Sequence, residues 1–232
     1  MGGSITVQSP EAYGHKLNNT YGFGLFGPVK EADLLDIEKA YENHGFQPQL
    51  CICEHADKTA FDLLSTRYLA TGKICQYRLD LSDFDFQPTD LGKVEVFSSS
   101  DREAFVQALV EGFRDTGRSP KLLKILAESA VARPDTMLFL ATLGGEVVGT
   151  AAMAMVEVDE CRVAIFYGNS CVPTARRRGV HQALLLTRLK VAKERNCDFA
   201  TVGAREGSGS GRNIQKAGFK QAYTCKIYNK SS

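Results

Sequence analysis

With 232 residues, 44% of them hydrophobic and 24% charged, the chain has ordinary globular composition and is long enough to bury roughly 70–75% of its unfolded surface, which excludes a disordered, collagen-like or coiled-coil protein. The formal net charge of +1 is the sum of opposed parts: residues 171–232 hold thirteen Lys and Arg against three Asp and Glu, net +10, and residues 1–170 hold fifteen against twenty-four, net −9. Such asymmetry points to a polyanionic ligand on the C-terminal part, either nucleic acid or a phosphate-rich cofactor.

Apolar runs such as 137–141 and 184–186 are far short of the about 20 residues of a membrane span, so no membrane partner is expected. The N-terminus lacks the basic start and continuous apolar stretch of a secretory signal, and seven cysteines show no framework spacing. A reducing, cytoplasmic setting follows as the expectation. Met1-Gly2 followed by Thr6 matches a myristoylation pattern with no polybasic segment beside it, and is left open. The cysteines of Cys51-Ile52-Cys53 are not at a metal spacing, and neither are His15, His44 and His55, so no metal is expected.

Taken in chain order, Tyr21-Gly22 ends an apolar strand, and 31–44 predicts a helix through Leu34, Ile37, Ala40 and Tyr41. A buried strand at 50–53, a helix at 56–66 and a strand at 74–79 follow. The polar, unpatterned stretch after Ser82 is read as a linker, 83–92, closing a first lobe at 1–82 and leaving a second at 93–230. There, after an opening strand at 94, Ser100-Asp101-Arg102-Glu103 is a capping box ahead of Phe105, Val106, Leu109, Val110 and Phe113, predicting a helix from 101. Ser119-Pro120 caps and opens a second helix that Pro134 stops. The β-branched and apolar runs 137–142, 147–156 and 162–172 predict an antiparallel meander. Helical spacing returns from Val180 to Ala192 with charges outward, until Asn196 as a left-handed cap. A short strand at 199–204, a flexible loop at 207–211, a brief helix at 212–217 ended by Gly218, and a strand at 223–228 complete the chain. Residues 1–80 hold a fainter copy of the end of that order, with Cys75 to Tyr77 echoing Cys225 to Tyr228, so a half-size degenerate repeat is expected.

Arg176-Arg177-Arg178-Gly179-Val180-His181 lies between a buried strand and a long helix. A turn there aims successive backbone N–H groups and the positive end of the helix at one point, a cradle for a diphosphate to which arginines add charge-assisted bonds. By spacing alone it is equally a basic, solvated helix cap.

In these residues the chain resembles the GNAT superfamily, the acetyl-CoA-dependent N-acetyltransferases. Their signature is Arg or Gln, two residues, Gly, one residue, then Gly or Ala; Arg176 and Gly179 match it, while His181 stands at the last position and crowds the turn. The resemblance covers 94–230, including the order β-α-α-β-β-β-α-β-α-β and Asn213-Ile214-Gln215-Lys216-Ala217-Gly218-Phe219, similar to the family's second motif. It implies an α/β (α+β) fold with a mixed, mostly antiparallel sheet and flanking helices, plus the smaller N-terminal half-repeat of the same fold. It further implies that acetyl-CoA is co-substrate and that its diphosphate sits on Arg176, Arg177, Arg178, Gly179, Val180, His181 and Gln182, with Asn213 also near the cofactor. The pantetheine arm would insert between splaying strands at 165–172 and 199–204, bound by backbone groups of Ser170, Cys171 and Val172, one N–H serving as oxyanion donor. An amine then attacks directly.

The turn at 23–29 of the first repeat has no arginine and carries Pro28, so it is not expected to hold a diphosphate; that lobe would complete the sheet and wall the acceptor pocket. Glu206, just after the second splaying strand, is the candidate base for the amine. Many GNAT members use a tyrosine five residues before the Phe of the Gly-Phe pair to protonate the leaving thiolate; here that position is Ile214, so Ser208 and Ser210 become the candidate acids. Cys171 is a candidate nucleophile, set against a packing role for its thiol. The expected reaction transfers acetyl to a primary amine of a small molecule, with no nucleic-acid partner. A catalytically inactive acyl-CoA-binding protein, and a nucleic-acid-binding module using the basic region, stay open. Acceptor identity and oligomeric state are not legible.

Overall fold

The computed structural model describes residues 3–9, 17–82, 84–85 and 93–231. Gly2 of the myristoylation pattern, His15 and all of the expected linker but Phe84 and Asp85 lie outside the described residues. The chain divides into two compact units, Met1–Gln76 with Ala222–Ser232, and Tyr77–Gln221.

The first unit begins with β1 (Ile5–Val7), β2 (Asn19–Tyr21), α1 (Glu31–Glu42), β3 (Gln49–Cys53), α2 (Lys58–Leu64) and β4 (Tyr68–Asp80), the last passing into the second unit at Tyr77. The second unit continues with β5 (Val94–Ser98), α3 (Arg102–Gly112), α4 (Pro120–Ala132), β6 (Thr136–Leu143), β7 (Glu146–Val158), β8 (Cys161–Cys171), α5 (Val180–Glu194), β9 (Phe199–Arg205) and α6 (Gly209–Lys216). The chain ends in β10 (Lys220–Lys230), which from Ala222 belongs to the first unit. Among the described residues no helix is long and apolar enough to cross a membrane.

In the first unit β1, β2, β3 and β10 are successive neighbours, with only β2 and β3 parallel. Helix α1 buries Leu34, Ile37 and Tyr41, one face at helical spacing, against Leu50 and Ile52 of β3. The Tyr41 hydroxyl, fully enclosed, donates to the Gln49 carbonyl at 3.0 Å. In the second unit the order is β9, β8, β7, β6, β5, antiparallel apart from β8 with β9. Phe105 and Leu109 of α3 and Ala127 of α4 pack against Leu138, Leu140 and Ala152 beneath them. The expected fold class is therefore present: mixed, mostly antiparallel strands with flanking helices. The repeat is present as well, because β2-α1-β3 and β8-α5-β9 are each a parallel pair joined through one helix.

Several boundaries moved for identifiable reasons. The capping box at 100–103 does not form; Asp101, whose carboxylate accepts from the Ala104 N–H at 2.9 Å, is the cap, and α3 starts at Arg102. Helix α6 starts at Gly209 inside the stretch expected to be a loop, because Ser208 caps it by accepting from the Gly211 N–H at 3.1 Å. Strand β10, read from chain order as the end of the second lobe, pairs with β3 from Cys225↔Cys53 to Asn229↔Gln49. Strand pairing is not set by chain order alone, and no local signal marks it.

Gly24 has φ +75°, and a Cβ there would stand 2.7 Å from the Ala60 Cβ of α2. Gly24→Ala is expected to cost about 2 kcal/mol or more, a left-handed penalty of roughly 1–2 plus overpacking. Gly45→Ala, at φ +68° with open space around it, should cost only about the backbone part. Urea midpoints of the two variants measure the difference, and equal midpoints would show that α2 moves freely to accommodate the methyl.

Candidate active site

Strands β8 and β9 run parallel only from Val163↔Phe199 to Phe166↔Val202. Beyond that rung both strands continue, to Cys171 and Arg205, without pairing to each other. The break coincides with a bulge on the other side of β8, where its register with β7 shifts between Thr150↔Ser170 and Ala152↔Tyr167. Gly168 makes the bulge possible, with φ +62° and a would-be Cβ 3.3 Å from that of Ala152.

Beneath the bulge lies Arg188 of α5, with no exposed surface. Its Nε donates to the Leu184 carbonyl at 3.0 Å, Nη1 to the carbonyls of Ala152 at 3.1 Å and Tyr167 at 3.4 Å, and Nη2 to Asn169 Oδ1 at 2.6 Å. Burial pulls its guanidinium down to about 9. The expectation that α5 turns its charges outward is corrected here. Arg188 falls four residues after Leu184, on the apolar face, where its donors meet the carbonyls of the Ala152↔Tyr167 rung and the side chain of Asn169 in the bulge.

After β8, a 3-10 turn at Pro173–Ala175 leads to Arg177, at φ 65°, and to Gly179, at φ 83°, which begins α5. No side chain caps this helix and its first turn holds no acid, so its leading N–H groups have no carboxylate of that turn among them. The matching helix of the first unit is different: Glu31 and Asp33 stand in the first turn of α1, and Asp33 Oδ2 accepts from the Lys30 N–H at 2.9 Å. One helix start has no carboxylate of its own, and the other holds two.

Solved structures share the fold over most of the chain. A GCN5-related N-acetyltransferase from Kribbella flavida has a TM-score of 0.72 at 16% identity, covering 93% of this chain and 82% of that one. One from Sphaerobacter thermophilus has a TM-score of 0.66 at 17% identity, covering 91% and 72%. A tandem GNAT protein from the clavulanic acid biosynthesis pathway has 0.66 at 11%, covering 91% and 74%. The chain has the GNAT fold. No family model matches the sequence, and no curated protein matches it.

Within the GNAT fold the expected site residues take distinct places. The Arg176 guanidinium is engaged, its Nη1 and Nη2 donating to Asp115 at 2.5 and 2.7 Å and Nη2 also to the Gly112 carbonyl at 3.0 Å; this fastens the segment after α3 to the end of β8 and holds the Asp115 carboxyl below its usual range. Arg177, Arg178 and Gly179 are exposed, whereas Val180 is buried and Gln182 half-buried. The Ser170 hydroxyl is enclosed, bonded to Thr150 Oγ1 at 2.7 Å and to the Ala108 carbonyl at 3.3 Å, so it has only backbone to offer a ligand. The Val172 N–H is already given to the Val148 carbonyl at 2.9 Å. Cys171 is half-buried with its thiol pushed up by burial, which disfavours the thiolate a nucleophile needs. Glu206 is exposed in the β9–α6 turn, and Asn213 half-buried on α6.

His181 avoids crowding the turn by pointing inward toward α6. Its Nε2 lies 3.4 Å from Ser210 Oγ, and Nδ1 is buried with no partner among the described residues. The sequence joined neither Ser210 to His181 nor Arg188 to the bulge. An arginine at i+4 from a leucine inside an apolar stripe was the one available signal. Burial, helped by the charge of Arg188, lowers the His181 imidazole from 6.5 to about 4, so the ring is neutral near pH 7. The unfolded ring takes its proton near 6.5 and the folded one only near 4. Stability from this group is therefore complete above about pH 6.5 and is lost as pH falls toward 4, by on the order of 3 kcal/mol. His181→Gln should flatten that part of the acid dependence, read from urea unfolding at about pH 7.5 and about pH 4.5. An unchanged slope would show that the ring is hydrated.

Proposed function

We propose that the protein is an acetyl-CoA-dependent N-acetyltransferase acting on a primary amine of a small molecule by direct attack on the thioester. The observation that carries this reading is the parting of β8 and β9 beyond Phe166↔Val202, next to a helix start that lacks a cap of its own. The opening offers backbone amides at 169–171 to a pantetheine arm in the manner of an added strand. The α5 turn offers N–H groups and the exposed Arg177 and Arg178 to the diphosphate. Arg176 acts from behind, holding the turn through Asp115.

The chemistry is acyl transfer without a covalent enzyme intermediate. Glu206 takes a proton from the ammonium, the amine attacks the thioester carbonyl, and a backbone N–H of the β8 segment steadies the oxyanion. The thiolate leaves and takes a proton from a serine at the α6 start, where Ser210 is paired with neutral His181 and Ser208 keeps its hydroxyl hydrogen while accepting at the cap, and the serine regains its proton from the one that the new amide nitrogen sheds. A CoA thiol with a cysteine-like pKa of about 8.5 leaves readily, so either serine changed to alanine should lower kcat by about a hundredfold at most. A cytoplasmic setting fits seven cysteines that are all free thiols.

Calorimetry with acetyl-CoA is expected to give one site per chain. Arg178→Glu should weaken binding at least about tenfold through loss of a charge-assisted bond. Gly179→Glu should abolish it, while Gly179→Asn, which tolerates the left-handed backbone, should largely keep it. Two sites, or none, would overturn the reading. Release of CoA thiol across a panel of amines then tests the transfer itself, and in Glu206→Gln its pH–rate profile should move to higher pH because the amine must deprotonate unaided. A profile that does not move removes Glu206 from the reaction.

A further inference from the structure

Arg188 is the largest of the fully enclosed side chains, and no carboxylate lies within ion-pair distance of it among the described residues. Burying an unpaired guanidinium costs several kcal/mol, and an apolar side chain of similar volume would fill the same space at lower cost. What the guanidinium touches explains its presence. Apart from its own helix carbonyl, every contact is with the bulge or the strand facing it: the Ala152 and Tyr167 carbonyls, the Asn169 side chain, and the Phe166 ring, 4.4 Å from the guanidinium carbon to its centroid. Phe166 is the last residue of β8 paired with β9, Tyr167↔Ala152 is the β7–β8 rung beside the register shift, and Gly168 and Asn169 are the residues that the shift leaves without a partner on β7.

We propose that Arg188 is a positioning residue that holds β8 in its bulged path, keeping it apart from β9 and presenting the amides at 169–171 to the pantetheine arm. This rests on the acetyl-CoA reading above. Without the guanidinium the Ala152 and Tyr167 carbonyls lose their donor, and β8 relieves them by relaxing toward regular pairing, which narrows the opening. Among the described residues no hydrogen bond joins Arg188 to Arg177, Arg178 or Gly179, and its one link to the turn is its electrostatic effect on His181, so the hold on the diphosphate is expected to stay nearly unchanged. A cation at this point therefore governs one half of the ligand and not the other.

The split gives the test. Acetyl-CoA and its nucleotide portion alone, 3′-phosphoadenosine 5′-diphosphate, are titrated into the full-length wild type and into Arg188→Met and Arg188→Lys. For Arg188→Met the affinity for acetyl-CoA is expected to fall at least tenfold, while that for the nucleotide stays within twofold. Arg188→Lys should resemble it, since one ammonium cannot reach three separated acceptors. A parallel loss of both ligands, or no loss of either, overturns the positioning role. A wild type that binds neither ligand overturns the acetyl-CoA reading instead. If Arg188→Met does not unfold cooperatively, Asn169→Ala, which removes one acceptor of the same network, should show a smaller loss with the same selectivity; equal effects on both ligands there would again reject the role.

Discussion

The open strand pair lies beside one buried cation and the carbonyls that surround it. A β-strand that leaves its neighbour exposes backbone groups whose pairing would otherwise be regained by closing the gap, so an open strand pair needs something to keep it open. In the second unit that constraint is met from two sides. Gly168 admits the backbone path, since a side chain there would crowd Ala152, and Arg188 donates to the Ala152 and Tyr167 carbonyls of the rung beside it. A hydrogen bond to a charged donor is roughly twice as strong as a neutral one, which suits a group asked to satisfy several acceptors at once in a dry interior.

The same topological unit occurs twice, and the two copies differ in the acids at the helix start. In β2-α1-β3 the helix start carries Glu31 and Asp33, and the turn before it is tightened by Gly24 against α2. In β8-α5-β9 the helix start has neither a capping side chain nor an acid, and arginines stand in its approach. The difference lies in a few polar residues on a shared backbone plan, so the copies diverge in ligand chemistry without diverging in fold.

Placement of charge also reshapes what the basic C-terminal region means. Of its cations, Arg176 is paired with Asp115, Arg188 is enclosed, the Lys193 ammonium donates to the Phe84 carbonyl, Lys190 stands near Glu194, and Lys230 reaches Glu38 at 2.9 Å. Arg177 and Arg178 remain exposed beside the uncapped helix start. Arg195, Arg205, Arg212, Lys216, Lys220 and Lys226 are exposed as well, so the surplus read from the sequence is not gathered at one turn, although two of its exposed cations stand there.

The fold class came from the resemblance carried by residues 176–181 and 213–219, and the sequence by itself determined most of the elements and the turn that begins α5. Those follow from local periodicity, from Ser119-Pro120, Asn196 and Gly218 at helix ends, and from a glycine among arginines, all of which act within a few residues of chain. Only the tertiary structure decided that Arg188 points inward, that Arg176 binds Asp115, that His181 turns under to Ser210, and that β10 pairs with β3. Each of these joins residues far apart in the chain or chooses between two faces of one element, and that choice depends on which acceptors and apolar surfaces the packed neighbours present.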